Sequence, residues 1–242
     1  MRKTPTLFRS FSILVVITLL EKVIAFVFEA IIAAKYGANS ITDTYFSAAE
    51  LFTLIDTAFL GSLAVIAINR YAYHYNQGGE KAAFSALSNI LSCYMPLMLI
   101  ISGLIFIFAK PISLLVAPGY DSETRLLVVR CIKQLSVIPV IVCLTTIELS
   151  VLRQKKRFEI TGLKSLFISV VGIIGLLFVS KSDDKNADVL VYAYIISNLL
   201  YCALSSFNIR KYGKLRLVKP SFNEEIKTTL RMALPLMGSY GI

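Results

Sequence analysis

Long apolar runs, separated by short polar segments, are the feature of this sequence that most restricts its fold. The chain has 242 residues, of which 56% are hydrophobic and 17% are charged, and its mean hydropathy is +0.71. A soluble domain carries about 25% charged residues and has shorter apolar runs. A helix needs about 20 mostly apolar residues to cross the hydrocarbon core of a bilayer. The sequence therefore predicts an all-α, polytopic bundle of transmembrane helices.

Six apolar runs have the length of a membrane span, and a seventh begins near the end of the sequence. We expect residues 1–209 to form one transmembrane lobe. Residues 210–228 are predicted to form a basic cytoplasmic loop, and residues 229–242 to begin a seventh helix in an incomplete second lobe. The six predicted spans lie at about residues 11–34, 44–68, 85–109, 125–152, 160–179 and 189–207.

Lys and Arg residues are distributed unevenly between the two ends of the predicted helices. Sixteen lie at the N-terminus and after even-numbered spans, whereas five lie after odd-numbered spans. Cytoplasmic loops of membrane proteins carry an excess of Lys and Arg. The N-terminus is therefore predicted to be cytoplasmic. The net charge of +10 indicates contact with membrane lipids and not with nucleic acid.

Charged residues interrupt the first two predicted spans. Lys22 and Glu29 are seven residues apart, so they share one helical face to within about 20°. Glu50 and Asp56 lie in the second span. A charge at bilayer depth costs about 2.5–3.5 kcal/mol on insertion scales, and such residues normally face a bundle interior or a cavity. We expect these four residues to line a substrate site; a structural Lys–Glu pairing between helices is the alternative.

Catalytic and metal chemistry have little support in the sequence. The four cysteines are scattered through apolar runs without Cys-x-x-Cys spacing, and the single histidine, His74, lies in a polar segment. No nucleophile–base pair or cluster of metal ligands is visible. We therefore expect a protein that is not an enzyme and that holds no metal or cofactor, with a coupling cation left open.

Several short motifs follow one another in an order that is typical of one transporter family. Gly-Ala at residues 37–38 precedes Thr-Asp-Thr-Tyr-Phe at 42–46, and LLVAPGYD occupies residues 114–121. Lys-Arg-Phe at 156–158 precedes the fifth span, and Ala-Leu-Pro-Leu at 233–236 opens the seventh. In this respect the chain resembles the MviN/MurJ-type lipid II flippases of the multidrug/oligosaccharidyl-lipid/polysaccharide exporter superfamily.

The resemblance implies two lobes that rock around a charged central cavity in a bacterial plasma (inner) membrane. The family lines this cavity with arginines, which suit a pyrophosphate. At the corresponding positions this chain has Lys22, which keeps the charge, and Phe28, which loses it; Asp56-Thr57 aligns with a basic pair. Lys22 would contact pyrophosphate or a counter-ion, and Glu29, Glu50 and Asp56 would tune charge. Asp43 would act as a gate, or simply as a cap or turn residue.

The implied function is flipping of a polyprenyl-pyrophosphate-linked saccharide, lipid II-like or a polysaccharide precursor, for peptidoglycan or surface polysaccharide biosynthesis. Two alternatives remain: a cation-coupled small-molecule exporter of the same superfamily, favoured by acids in place of arginines, and a non-transporting membrane scaffold or pseudo-transporter. Because the sequence supplies one lobe and the start of another, we expect either a truncated N-terminal half of a transporter or a chain that needs a separate second lobe or a homodimer as partner. The other expected partners are the lipid-linked saccharide and membrane lipids.

Overall fold

The computed structural model describes residues 7–37, 40–177 and 186–220, and within these residues it contains helices and no strand. The seventh predicted span, at 229–242, and the second part of the predicted basic loop lie outside the described residues. The helices are α1 (Leu7–Tyr36), α2 (Ser40–Ile55), a π-helical turn (Asp56–Leu60), α3 (Gly61–Ile107), α4 (Ala109–Val116), α5 (Ser122–Leu135), α6 (Ile138–Gln154), α7 (Phe158–Thr161), α8 (Lys164–Leu177) and α9 (Asn186–Ile209).

The longest helix, α3, is broken at Gly78 and Gly79. Gly79 has a φ of 68°, which glycine adopts without the steric penalty of a Cβ atom. The sequence predicted a loop over residues 70–82, but helix continues on both sides of this break. The hydroxyl of Tyr71 donates a hydrogen bond to Glu80 Oε2 at 2.6 Å. Contacts between polar side chains therefore stabilise helix in this segment, although its polar composition had indicated a loop.

Helix α6 lies at the centre of the bundle, where it packs against α3 and α9. Eleven of its 17 residues are buried, as expected of a helix that is apolar on all sides. Two hydrogen bonds join it to the first turns of α3: Ser150 Oγ donates to Ala64 O at 3.4 Å, and Gln154 Nε2 donates to Ile68 O at 3.1 Å. Such polar contacts hold helices together where lipid provides little hydrophobic driving force between them.

The chain breaks at Ala-Pro-Gly, residues 117–119, between α4 and α5. Helix α4 ends at Val116, and Asp121 then caps α5 by accepting a hydrogen bond from the N–H of Glu123 at 3.1 Å, a favourable N-cap arrangement. Hydrogen bonds from the side chain and the N–H of Thr124 hold the pKa of Asp121 below its ordinary value. Helices α5 and α6 meet at an angle of 40°.

By length and composition, two described helices are apolar enough to cross a membrane, at Gly61–Ile107 and Asp188–Ile209, and the bent α5–α6 pair would add a third. The sequence predicted six spans. Predicted spans two and three share α3, because the glycine break is the interruption between them. Predicted span five corresponds to α8, whose described part has 14 residues.

Candidate functional site

Two cavities adjoin at the first turn of α8. Lys164 lines one of them, and its neighbour Ser165 lines the other. Helix α8 begins here because the short α7 ends at Thr161 and the chain turns at Gly162. The turn directs the start of α8 towards α1, with which α8 packs.

The first cavity, here called the lysine cavity, has a volume of about 390 Å³ and lies between the π-helical turn, α3, α6 and the start of α8. Lys164 forms an ion pair with Asp56 across it, and Arg153 also lines it. The exposed fractions of the Lys164 and Asp56 side chains are 28% and 35%. The cavity therefore combines two cationic groups with one carboxylate.

The π-helical turn sets the position of Asp56. The N–H of Gly61 donates to the carbonyl of Asp56, five residues earlier, in place of the usual bond four residues apart. Before the turn, Thr53 Oγ1 donates to Ala49 O at 3.2 Å. Within the turn, Thr57 Oγ1 donates to Thr53 O at 2.9 Å. Single π-helical turns within α-helices are frequent at functional sites. This one places a carboxylate beside Lys164.

The second cavity, here called the glutamate cavity, has a volume of about 520 Å³ and lies between α1, α2 and α8. Glu29 from α1 and Glu50 from α2 both line it, as does Ser165. The hydroxyl of Ser165 also donates a hydrogen bond to Glu21. Carboxylates from two helices therefore face one space beside the first turn of α8.

The structure brings together three of the five residues singled out in the sequence. Glu29 and Glu50 share the glutamate cavity, and Asp56 lines the adjoining lysine cavity. Lys22 is exposed on α1 and lines neither of these two cavities. Asp43 is exposed in the first turn of α2, where an acidic residue interacts favourably with the helix dipole. The roles predicted for all five residues stay predictions.

Phe28, the position where a basic residue was expected from the resemblance, is 6% exposed. Its ring packs against Gly172 of α8, although it also contributes to the wall of the glutamate cavity. An aromatic residue here joins α1 to α8. The missing charge at this position therefore coincides with a packing contact that an arginine side chain would disturb.

Sequence reasoning did not identify Lys164 and Arg153 as site residues. Arg153 is one of the sixteen basic residues at the N-terminus and after even-numbered spans, and Lys164 is in neither of the two groups of basic residues that were compared. The available signal was the position of Lys164 four residues inside the predicted fifth span, since a charge at such depth normally has a partner. The partner itself, Asp56, depends on the π-helical turn, for which the sequence has no recognisable pattern.

Comparisons with known proteins agree with this architecture. The family described as "Lipid II flippase MurJ" matches residues 32–242 of the chain. Among solved structures, "Lipid II flippase MurJ, inward closed conformation" superimposes with a TM-score of 0.70 at 17% sequence identity, covering 94% of this chain and 47% of that one. The structure is therefore a helical membrane transporter fold.

Curated relatives extend the match along nearly the whole chain. "Probable lipid II flippase MurJ" of Aquifex aeolicus (strain VF5) is 23% identical over 238 residues, or 98% of this chain and 47% of its own length. The protein of the same name from Buchnera aphidicola subsp. Baizongia pistaciae (strain Bp) is 23% identical over 219 residues, or 84% of this chain and 43% of its own length. The chain thus spans about half the length of these relatives, whose names favour neither the small-molecule exporter nor the scaffold. On the match over residues 32–242, the chain belongs to the lipid II flippase MurJ family.

Proposed function

We propose that the chain forms one lobe of a flippase that moves a polyprenyl-pyrophosphate-linked saccharide outward across a bacterial inner membrane. The observation that carries this proposal is the family match over residues 32–242. The N-terminus lies in the cytoplasm, in keeping with the distribution of Lys and Arg in the sequence. A second lobe supplies the opposite wall of the transport pathway.

The lysine cavity has charges that suit a pyrophosphate. Lys164 and Arg153 supply positive charge, and charge-assisted hydrogen bonds to phosphate oxygens are about twice as strong as neutral ones. Without substrate, Asp56 holds Lys164 in an ion pair. Because both side chains are about a third exposed, the pair stabilises the fold by only about 0–1 kcal/mol. A pyrophosphate can therefore displace Asp56 from Lys164 at small energetic cost.

Alternating access follows from this exchange. In the inward-facing state the pyrophosphate occupies the lysine cavity. Lys22, which lies outside this cavity on the exposed face of α1, contacts a counter-ion or a part of the substrate that extends beyond the cavity. Rocking of the two lobes then exposes the same site to the other side of the membrane. When the substrate leaves, Asp56 pairs again with Lys164, and this pairing resets the empty cavity. Glu29 and Glu50 set the charge of the neighbouring glutamate cavity and are the groups available to a coupling cation.

The test is to replace Lys164 in cells whose lipid-linked saccharide export depends on this protein. We expect Lys164→Ala to reduce the amount of precursor at the outer face about tenfold, the effect of losing a contact of ~1.4 kcal/mol. Lys164→Arg, which keeps the charge, should retain more export. Lys22→Ala should also reduce export. The measurement is cleavage of the exposed precursor by an externally added enzyme, normalised to the protein content of the membrane.

Lys156→Ala is the matched control, because Lys156 is an exposed lysine in the loop after α6 and lines neither cavity. It should leave export unchanged. If Lys164→Ala, present in the membrane at the normal level, exports as much precursor as the unaltered protein, the assignment of the lysine cavity is wrong. An unchanged Lys22→Ala variant would remove Lys22 from the site.

A further inference from the structure

Glu148 is a buried acid outside the two cavities described above. It lies in the central helix α6, and only 2% of its surface is exposed. The hydroxyl of Ser205 donates to one carboxylate oxygen, and that of Ser206 donates to the other. Both serines belong to α9. A charged carboxylate at this depth is expensive unless its hydrogen bonds are satisfied, and ionisable groups within membrane proteins commonly take part in proton transfer.

The hydrogen bonds around Glu148 can satisfy either of its protonation states. The hydroxyl of Ser205 has a second acceptor within reach, the carbonyl oxygen of Cys202 at 2.9 Å. A hydroxyl has one hydrogen and two acceptor lone pairs. When Glu148 is ionised, Ser205 donates to it; when Glu148 is protonated, its O–H donates to Ser205, whose own hydrogen turns to Cys202. Neither state leaves a buried polar group without a partner.

Glu148 also lines a cavity of about 600 Å³ that contains two cationic residues. Arg210 follows the end of α9, and Lys214 lies four residues later. Arg210 interacts with the Glu148 carboxylate electrostatically. The groups facing Glu148 are the hydroxyls of Ser205 and Ser206 and the thiol of Cys202 from α9, apolar Leu91 and Met95 from α3, Leu144 of α6 itself, Arg210 and Lys214.

Residues 210–220, here called the strap, form a turn at 210–212 and then lie along α3 without regular secondary structure. The N–H of Arg216 donates to Ser88 Oγ at 3.1 Å, and the N–H of Val218 donates to Ser92 Oγ at 2.8 Å. Alternate residues of an extended segment face one side, and residues four apart on a helix share a face, so these two bonds match in spacing. The strap thereby closes one wall of the cavity that contains Glu148.

We propose that Glu148 is a proton-binding site and that its ionised form holds the strap against α3. A negative charge in the cavity attracts Arg210 and Lys214, and the attraction is stronger there than in bulk water because the surroundings are less polarisable. Protonation removes that attraction for both cationic side chains, which belong to the strap. The strap is therefore docked at higher pH and released when Glu148 takes up a proton.

Infrared spectroscopy of the purified chain, reconstituted in phosphatidylcholine nanodiscs, tests the proton site. A pH-difference spectrum should contain a carbonyl band from protonated Glu148, besides the bands of the other acids that titrate. This band should be absent in Glu148→Gln and present in the control Glu159→Gln, which removes an acid outside this cavity. Ser205→Ala should shift the frequency of the band, because it removes the hydroxyl that partners the acid. A band that persists unchanged in Glu148→Gln, or that does not move in Ser205→Ala, overturns the assignment.

Hydrogen exchange tests the link between the proton and the strap. At a pH where the infrared band is absent, the amides of Arg216 and Val218 should exchange about tenfold faster in Glu148→Gln than in the unaltered chain, corresponding to ~1.4 kcal/mol. In the unaltered chain, protection of these amides, corrected for intrinsic rates, should fall as the band appears. Protection that is the same in both proteins at every pH shows that Glu148 does not hold the strap. The Ser205→Ala spectrum tests the site independently if Glu148→Gln fails to fold.

Discussion

The ring of Phe28 in α1 packs directly against Gly172 of α8. A Cβ atom at Gly172 would lie 2.5 Å and 2.6 Å from two ring carbons of Phe28, closer than van der Waals contact allows. Gly172→Ala should therefore displace the ring, and overpacking of this kind costs about 1–3 kcal/mol. We expect a lower thermal unfolding midpoint for the detergent-solubilised variant, measured by the fluorescence of a dye that binds exposed cysteines.

Gly103→Ala is the matched control, because among the described residues no atom beyond its chain neighbours and its own helix backbone lies within 4 Å of the position that its Cβ would occupy. In the interior of a helix, alanine is favoured over glycine by about 0.5–1 kcal/mol. The midpoint of this variant should be unchanged or higher. Equal midpoints for the two variants would mean that the ring of Phe28 moves aside without loss of stability.

Of the candidate site residues, the charged residues within apolar runs were the easiest to identify from the sequence. Glu29, Glu50 and Asp56 could be singled out because hydropathy alone makes them anomalous, and the structure places all three beside the first turn of α8. Hydropathy gives no information about which charges meet. The pairing of Asp56 with Lys164 joins residues 108 positions apart and depends on a π-helical turn, so it required the three-dimensional structure.

Lys155, which directly follows α6, joins the end of that helix to α3 and to the strap. Its Nζ atom lies 2.5 Å from Glu80 Oε1 and 4.5 Å from the ring centroid of Tyr75, both in α3. It also lies 5.6 Å from the centroid of Tyr71 in α3 and 5.3 Å from that of Tyr212 in the strap. Because the Lys155 side chain is 18% exposed, these cation–π contacts are partly shielded from water and are stronger than surface contacts.

A double-mutant cycle measures what this lysine contributes to the packing of these elements. We expect a coupling free energy of about 0.5–2 kcal/mol between Lys155→Met and Tyr75→Leu, from the unfolding of each single variant and of the double variant. Lys155→Met keeps most of the aliphatic length and removes the charge. The same cycle with Lys156→Met, which alters an exposed neighbouring lysine, should give a coupling near zero. A similar coupling in both cycles would indicate a general effect of charge and no cation–π contact.

The ends of helices could be predicted from the sequence where proline and glycine stop a helix. They were predicted less well where only the polarity of the residues indicated a loop. The break after α4 follows from Ala-Pro-Gly, since proline cannot continue a helix and glycine permits the turn. Residues 70–82 were assigned to a loop because they are polar, but the structure keeps them helical except at Gly78 and Gly79. Polar residues that bond one another, as Tyr71 and Glu80 do, extend a helix beyond the apolar core.

At the scale of the whole molecule, the segments after predicted spans two, four and six meet at one end. Lys155, from the segment after span four, contacts Glu80 and Tyr212 from the other two. The start of α9 lies ~36 Å from the end of the helix by helical rise. Asp188, at the start of α9, pairs with Arg130 at 2.5 Å. The alternation of segments predicted from the sequence therefore corresponds to two ends of one bundle. The side of the membrane on which each end lies stays a prediction.

Cysteine labelling in intact cells tests this orientation. In a background without the native cysteines, Glu123→Cys should react with a membrane-impermeant thiol reagent added from outside, because it lies at the exposed start of α5 on the predicted external side. Lys219→Cys, exposed in the strap, should react only after the membrane is permeabilised. These positions sample the two ends of the bundle, and the excess of basic residues at the strap end determines the predicted direction.

The two labelling results must be opposite for the orientation to be correct, which makes each position the control for the other. Permeabilised cells should label both, since both side chains are exposed. The reverse pattern, with Lys219→Cys labelled from outside, would place the Lys155 cluster and the strap on the external face. Glu148 and its cavity, which the strap closes, would then take up protons from that side of the membrane. The orientation thus decides which compartment's pH the strap responds to, and a single labelling experiment determines it.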